Sequence, residues 1–357
     1  MNRKLLYLFA LGMVSGTLIM AGCSNKSTRA AAAAEGFSLA EARVVETPEA
    51  REQVEICHQS LTLFLKRDYD QLEALAARYR SSEEQYADGT WKLLSFYGGL
   101  ESGITNNTEA GWVERKQQLQ EWLDARPASV TARVALGNFL ISYARKARGD
   151  DWAGNVKDKD WPVFFSRLQE ADAILQAAET LPEKCPCCLG FRLQAAMGLQ
   201  TDRAEYDTLF QQAVKTEPDY EFYYKSRAIF LLPRWYGTEG EWVKDLTASA
   251  NSVGGDPGDM LYAQVVWEVQ YYGGGLDNIF EENPALSWDR LDRGFGVILK
   301  YYPTSLAAKS ERAHLAALAG DQDKAREYLA QTKGQVDLTI WDAKTNFDRF
   351  YNWANGQ

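Results

Sequence analysis

The sequence predicts an all-α fold, and three observations carry that prediction. Apolar residues recur at helical spacing along most of the chain. Runs of alternating β-branched residues are nearly absent, so a sizeable sheet is not expected. The helical segments also come in pairs joined by short turns. Val54, Leu61, Phe64 and Leu65 share one helical face, and Tyr69, Leu72, Leu75, Ala76 and Tyr79 share the next. Phe164, Leu168, Ala171, Leu175 and Ala178 alternate spacings of four and three, which lays a stripe that must pack on a neighbouring helix.

Taken in order, the first element is a leader. Asn2-Arg3-Lys4 opens with positive charge, an apolar run follows from Leu5 to Ile19, and Met20-Ala21-Gly22 supplies small residues before Cys23. That arrangement is a secretory signal peptide over residues 1–22. Its end at a cysteine resembles the bacterial lipoprotein signal, with Met20 in place of the usual Leu. The resemblance implies acylation of Cys23 with several chains, which gives stable membrane retention where one chain would not. Ser24 stands where Asp would signal inner-membrane retention. The expected location is therefore the periplasmic face of an outer membrane. Residues 23–45, with the Ala30–Ala34 run, read as a lipidated flexible tether, and residues 46–357 as one helical domain.

Charge narrows the partners. The chain carries a net charge of −10, and removing residues 1–22 takes away Arg3 and Lys4 and no acid, leaving about −12. Such a surface repels nucleic acid and anionic headgroups, so neither is expected beyond the lipid anchor.

Within the domain, the helix pairs resemble tetratricopeptide repeats. Leu136-Gly137 fits the first half of that pattern, and Ala171, Leu175, Ala178 and Pro182 fit the second. Phe210, Ala213 and Pro218 repeat the second half. Pro303 opens a further pair, in which Ala313, Ala316, Ala325 and Leu329 match around a Gly320-Asp321 turn. The resemblance implies an α-α superhelix interrupted by insertions at 148–160 and 233–300. Ile340, Ala343, Phe347, Phe350, Tyr351 and Ala354 recur on one face, as expected of a single capping helix at the end of an array.

The insertions hold the unusual residues. One contains Arg148-Gly149-Asp150-Asp151-Trp152 and Trp161-Pro162, the other Pro233-Arg234-Trp235-Tyr236-Gly237-Thr238-Glu239-Gly240-Glu241-Trp242. With Asp88-Gly89-Thr90-Trp91, these are similar to a bacterial family of uncharacterised activity with tetratricopeptide-like helices, over roughly residues 54–330. The resemblance implies a fold and brings no activity. Arg148, Trp152, Arg234, Trp235, Tyr236, Glu239, Glu241 and Trp242 form the candidate binding loop, because an arginine can stack on an aromatic ring and pair with a carboxylate at once. The competing reading is a rigid connector in which these residues only hold the bend. Glu239 and Glu241 can serve acid–base chemistry only if their environments separate their pKa values.

Cysteine supplies the remaining chemistry. Cys57, Cys185, Cys187 and Cys188 are candidate disulfide partners in an oxidising compartment, with three possible connectivities. Cys185 and Cys188 also have the C-x-x-C spacing of redox dithiols. His58 and His314 sit in no metal or nucleophile motif, and Gly273-Gly274-Gly275 lacks the Lys that makes a phosphate loop. No cofactor and no metal are expected. Two function classes follow. The first is a non-catalytic scaffold for an envelope protein or peptide. The second is an envelope enzyme, using Cys185 and Cys188 for thiol–disulfide exchange or Glu239 and Glu241 for hydrolysis.

Overall fold

A computed structural model describes residues 37–104, 107–149, 155–272 and 278–357. Helices account for nearly all of the regular structure. In chain order they are α1 (Pro48–Leu65), α2 (Tyr69–Ser82), α3 (Leu93–Glu101), α4 (Glu109–Ala125), α5 (Val130–Arg148) and α6 (Asp160–Glu179). Next come α7 (Pro186–Gly198), α8 (Arg203–Thr216), α9 (Glu221–Phe230), α10 (Glu241–Val253) and α11 (Gly255–Tyr272). The chain finishes with α12 (Ile279–Glu282), α13 (Trp288–Tyr301), α14 (Leu306–Leu318), α15 (Gln322–Gln331), α16 (Leu338–Trp341) and α17 (Lys344–Ala354). Two short strands, β1 (Arg43–Val44) and β2 (Gln335–Val336), pair in parallel. Among the described residues no helix is long and apolar enough to cross a membrane.

Capping explains most of the helix starts. Thr47, Asp68, Thr108, Ser129, Asp202 and Asp321 each accept a backbone N–H from the first turn that follows. Each such bond satisfies one of the amides that a helix N-terminus leaves without an internal partner.

Packing runs along the chain. α5 lies on α6, α6 on α7, and α7 on α8 and α9; α11 joins α9 and α10 to α13, and α13 leads through α14 to α15. The predicted stripe on α6 is buried at all five positions. Gly137 lets α5 and α6 approach closely, because a Cβ there would stand 2.5 Å from the Leu175 side chain. The missing side chain at one position and the leucine at the other are two halves of one contact.

Four expectations change. In α1 the buried residues are Glu49, Ile56, Ser60 and Phe64, whereas Val54 and Leu65 face solvent, so the core-facing stripe is rotated from the one read off the sequence. Residues 233–300, read as an irregular insertion, carry α10 to α13, of which α10 packs on α11 and α11 on α13. The terminal helix is broken by Asp342, which has a left-handed φ of 62° and separates α16 from α17. Residues 37–45, read as tether, are docked. Arg43 N–H donates to Gly334 O at 2.8 Å, Val45 N–H donates to Val336 O at 3.0 Å, and the Tyr351 hydroxyl donates to Phe37 O. Phe37 stacks against Phe347 and Tyr351, so the two ends of the described body are fastened together.

His314 sits at this junction, fully buried and stacked on Trp341 with centroids 5.0 Å apart. Burial pushes its pKa down to about 4, so it packs as a neutral ring.

Candidate functional site

The Pro-Arg-Trp segment is a tight connector from α9 to α10. Trp235 N–H donates to Leu232 O at 2.8 Å, and Tyr236 N–H donates to Phe230 O at 3.1 Å. Gly237 is required by contact, because a Cβ there would fall 1.8 Å from Leu231 O. Gly240, at a φ of 70°, then turns the chain into α10.

Most candidate side chains are committed to holding this bend. Glu241 Oε2 accepts from the Thr238 backbone N–H at 2.9 Å and its hydroxyl at 3.1 Å, while Oε1 accepts from Arg203 at 2.7 Å. Partial burial pushes the Glu241 carboxyl up, but Arg203 and Thr238 outweigh it and hold the group below its ordinary range. Trp242 is buried and donates its indole N–H to Asn283 Oδ1 at 2.8 Å. Tyr236 donates to Met197 O at 2.8 Å and stacks on Phe230, which stacks in turn on Tyr206. Trp235 is buried, and Glu239 is exposed.

Arg234 differs. Its guanidinium lies 4.5 Å from the centre of the Tyr272 ring at the end of α11. The charges of Arg145 and Arg148, from the last turn of α5, act on the same tyrosine. Burial pushes the Tyr272 hydroxyl up to about 12, against the pull of Arg234, Arg145 and Arg148. Arg148 is buried, donates to Gly149 O at 2.9 Å, and lies 5.8 Å from the centre of the Trp161 ring. Arg145 donates to Gln194 Oε1 at 2.9 Å and faces the Glu101 carboxyl. The fold therefore brings Arg148 and Arg234, which come from the two unusual segments, to one place. It adds Arg145, Tyr272 and Trp161. Trp152 lies outside the described residues, as do Cys23 and Gly273 to Gly275. Three guanidiniums beside a phenol and an indole suit planar anions such as carboxylates.

A second polar interior has the opposite sign and no sequence motif announces it. Glu221 and Lys225 on α9, Glu268 on α11, Glu311 on α14, Glu49 on α1, Asp337 and Asp88 face one another across the body. Burial pushes Glu221 up to about 7, and it pushes Glu311 well above the ordinary range with help from Asp88, Asp337 and Glu49. Burial disfavours the Lys225 ammonium, but Glu268, Glu221, Asp88 and Glu311 hold its pKa above the ordinary value. Among the described residues, Glu49 Oε2 and Glu221 Oε2 make no hydrogen bond, and no group of His, Cys, Asp and Glu has the arrangement to hold a metal ion.

The four candidate disulfide cysteines are free thiols. Cys57 donates to Ser95 O at 3.2 Å between α1 and α3, and the other three stand at the start of α7. Cys185 Sγ lies 3.3 Å from the Tyr97 hydroxyl, Cys187 Sγ lies 3.0 Å from the Tyr220 hydroxyl, and Cys188 Sγ donates to Leu175 O on α6.

Residues 55–187 match the family model of a domain of unknown function, DUF4034. The match takes in Arg145, Arg148 and Trp161, and stops short of Arg234 and Tyr272. The arginine cluster is thus assembled from the DUF4034 segment and from the chain beyond it. No curated protein matches the chain.

Proposed function

We propose that this chain is a non-catalytic, tetratricopeptide-like binding protein of the cell envelope, anchored to the outer membrane through lipid on Cys23. It holds an acidic segment of a partner protein at the arginine cluster. The observation that carries the reading is the convergence of Arg145, Arg148 and Arg234 on Tyr272. The rest of the surface is acidic overall, so a local gathering of guanidiniums selects a carboxylate-bearing partner by both attraction and contrast. Packing of helices in chain order supports the repeat reading. The hydrolase alternative is weakened by the use made of Glu241, whose carboxylate is occupied by Arg203 and Thr238.

Crosslinking in intact cells, followed by purification of the full chain, tests the partner. Arg234→Ala is the informative variant, since Arg234 is partly exposed whereas Trp235 is core. The expected result is a specific partner that is lost in Arg234→Ala while the helical spectrum is unchanged, and an acidic peptide from its contact region that binds the purified chain in a salt-dependent way. Equal capture by both chains sinks the arginine site. Recovery of the chain alone sinks the scaffold. The anchor is tested separately: Cys23→Ser should release the protein from the membrane fraction.

A further inference from the structure

The hairpin between α2 and α3 takes no part in the arginine centre and is built against the carboxylate one. Tyr86 N–H donates to Thr90 O at 2.8 Å, and Asp88 Oδ1 accepts from the Thr90 N–H at 2.9 Å and from its hydroxyl at 2.7 Å, which closes the tip tightly. The tip is pressed onto α9 and α11. Gln264 Nε2 on α11 donates to Asp88 O at 3.3 Å, and Trp91 N–H donates to Glu221 Oε1 on α9 at 3.5 Å. Gly89 allows this approach: its φ is +80°, and a Cβ there would stand 3.1 Å from Gln264 Nε2.

Four helices complete the surroundings. Glu221 and Lys225 are one turn apart on α9, and Lys225 meets Glu268 of α11 at 3.8 Å, a pairing by charge too long for a hydrogen bond. α14 lies beside α11, where the Trp267 and His314 rings are 5.7 Å apart, and it supplies Glu311. The first turn of α1 supplies Glu49, which hydrogen-bonds with Ser305 just before α14. Glu221 and Glu49 are only 5% and 8% exposed, and in each of them Oε2 accepts no hydrogen bond. The Lys225 and Glu268 side chains are 16% and 21% exposed and Asp88 is half-buried, so the cluster opens to solvent one helical turn from Glu221.

We propose that this cluster is a binding site for a small aliphatic ammonium ion, which enters between Asp88 and the Lys225–Glu268 pair and donates to Glu221 Oε2. A primary ammonium meets both needs of the site. It brings positive charge where carboxyls outnumber the one lysine, and three N–H donors where buried carboxylate oxygens lack them. A metal ion is a poorer match, since among the described residues no group of His, Cys, Asp and Glu is arranged to hold one. Burial holds Glu221 and Glu311 above the ordinary carboxylate range, and a bound cation draws both back toward it. The site is separate from the arginine centre and selects the opposite charge.

Calorimetry on the full chain at pH 8 tests it, with n-butylammonium chloride as the probe. Tetramethylammonium chloride, which has the charge and no N–H, is the comparison. The expected result is saturable one-to-one binding of butylammonium, with tetramethylammonium weaker by about tenfold or more. Glu221→Gln keeps the shape of the side chain and should weaken butylammonium by about tenfold or more. Affinity in the wild type should also fall by about tenfold or more from pH 8 to pH 5, as Glu221 and Glu311 take up protons. Absence of binding, equal binding of the two cations or an unchanged affinity in Glu221→Gln overturns the proposal. Displacement of butylammonium by an equal concentration of calcium chloride also overturns it, in favour of a metal site. Should Glu221→Gln fail to fold, the pH dependence and the comparison of the two cations on the wild type decide.

Discussion

Arg145 and Glu311 both lie among packed helices, yet burial acts on them in opposite ways. A guanidinium stays charged throughout the accessible pH range, so the fold must satisfy it in place, and Arg145 is given Gln194 Oε1 and the Glu101 carboxyl. A carboxyl can escape the cost of desolvation by taking up a proton, and burial drives Glu311, Glu49 and Glu221 that way. The arginine centre therefore keeps its charge at any working pH and can hold an anion. The carboxylate centre trades charge for protons, which makes it a source of pH-dependent stability.

The harshest way to break this contrast is to remove the cation from the carboxylate side. Lys225→Met should cost about 3–5 kcal/mol at pH 8, because it leaves buried carboxylates without their counter-charge. The cost should shrink at pH 5, where burial keeps Glu221 and Glu311 protonated. Denaturant unfolding at the two pH values measures both figures, and equal losses would mean that Lys225 is only packing.

The wild type should itself lose stability as pH rises from about 4.5 to 7. Glu221 titrates near 7 when folded and near 4.5 when unfolded, so its contribution is complete below 4.5, declines through this window and is flat above it. The full decline for this one group is about 3 kcal/mol. Glu101, also raised to about 7 by burial, adds in the same direction. His314 opposes it: its folded pKa of about 4 lies below the usual 6.5, so its contribution is lost as pH falls through that range. Glu311 and Glu49, likewise raised by burial, act with Glu221 and Glu101 against the one histidine and leave a net fall with rising pH. A melting temperature that climbs from pH 5 to pH 7 would contradict this. Glu221→Gln should then flatten the profile by roughly the 3 kcal/mol assigned to that group.

The smallest effect is expected at the edge of the arginine centre. Arg234→Ala removes a cation–aromatic contact with Tyr272 worth about 0.5–1 kcal/mol at a partly exposed site. The change should be nearly independent of pH between 5 and 8. A steep pH dependence there would show that the two centres are coupled.

The all-α fold was readable because periodicity is a local property. The α6 stripe from Phe164 to Ala178 names its own buried face, and Leu136-Gly137 marks the crossing it packs against. Half of the arginine site was also readable, since Arg148 and Arg234 stand in segments of unusual composition. Tyr272 and Arg145 were not, because they sit in ordinary helical pattern and gain meaning only when α5 and α11 meet. The carboxylate centre left no trace, as its members are scattered from Glu49 to Asp337. The cysteine cluster shows the opposite failure: a familiar spacing suggested a pair, whereas each of the three sulfurs is bonded to a different neighbour.

The parallel pairing of β1 with β2 fixes where a leash would leave the body. Thirteen residues separate Cys23 from Phe37, and Phe37 is seated against Tyr351 on α17. With Cys23 in a bilayer, a fully extended leash of that length spans about 50 Å. The end of the molecule carrying α17 would then ride nearest the lipid. Were Cys23 acylated, this two-residue strand would set which end of the protein faces the membrane.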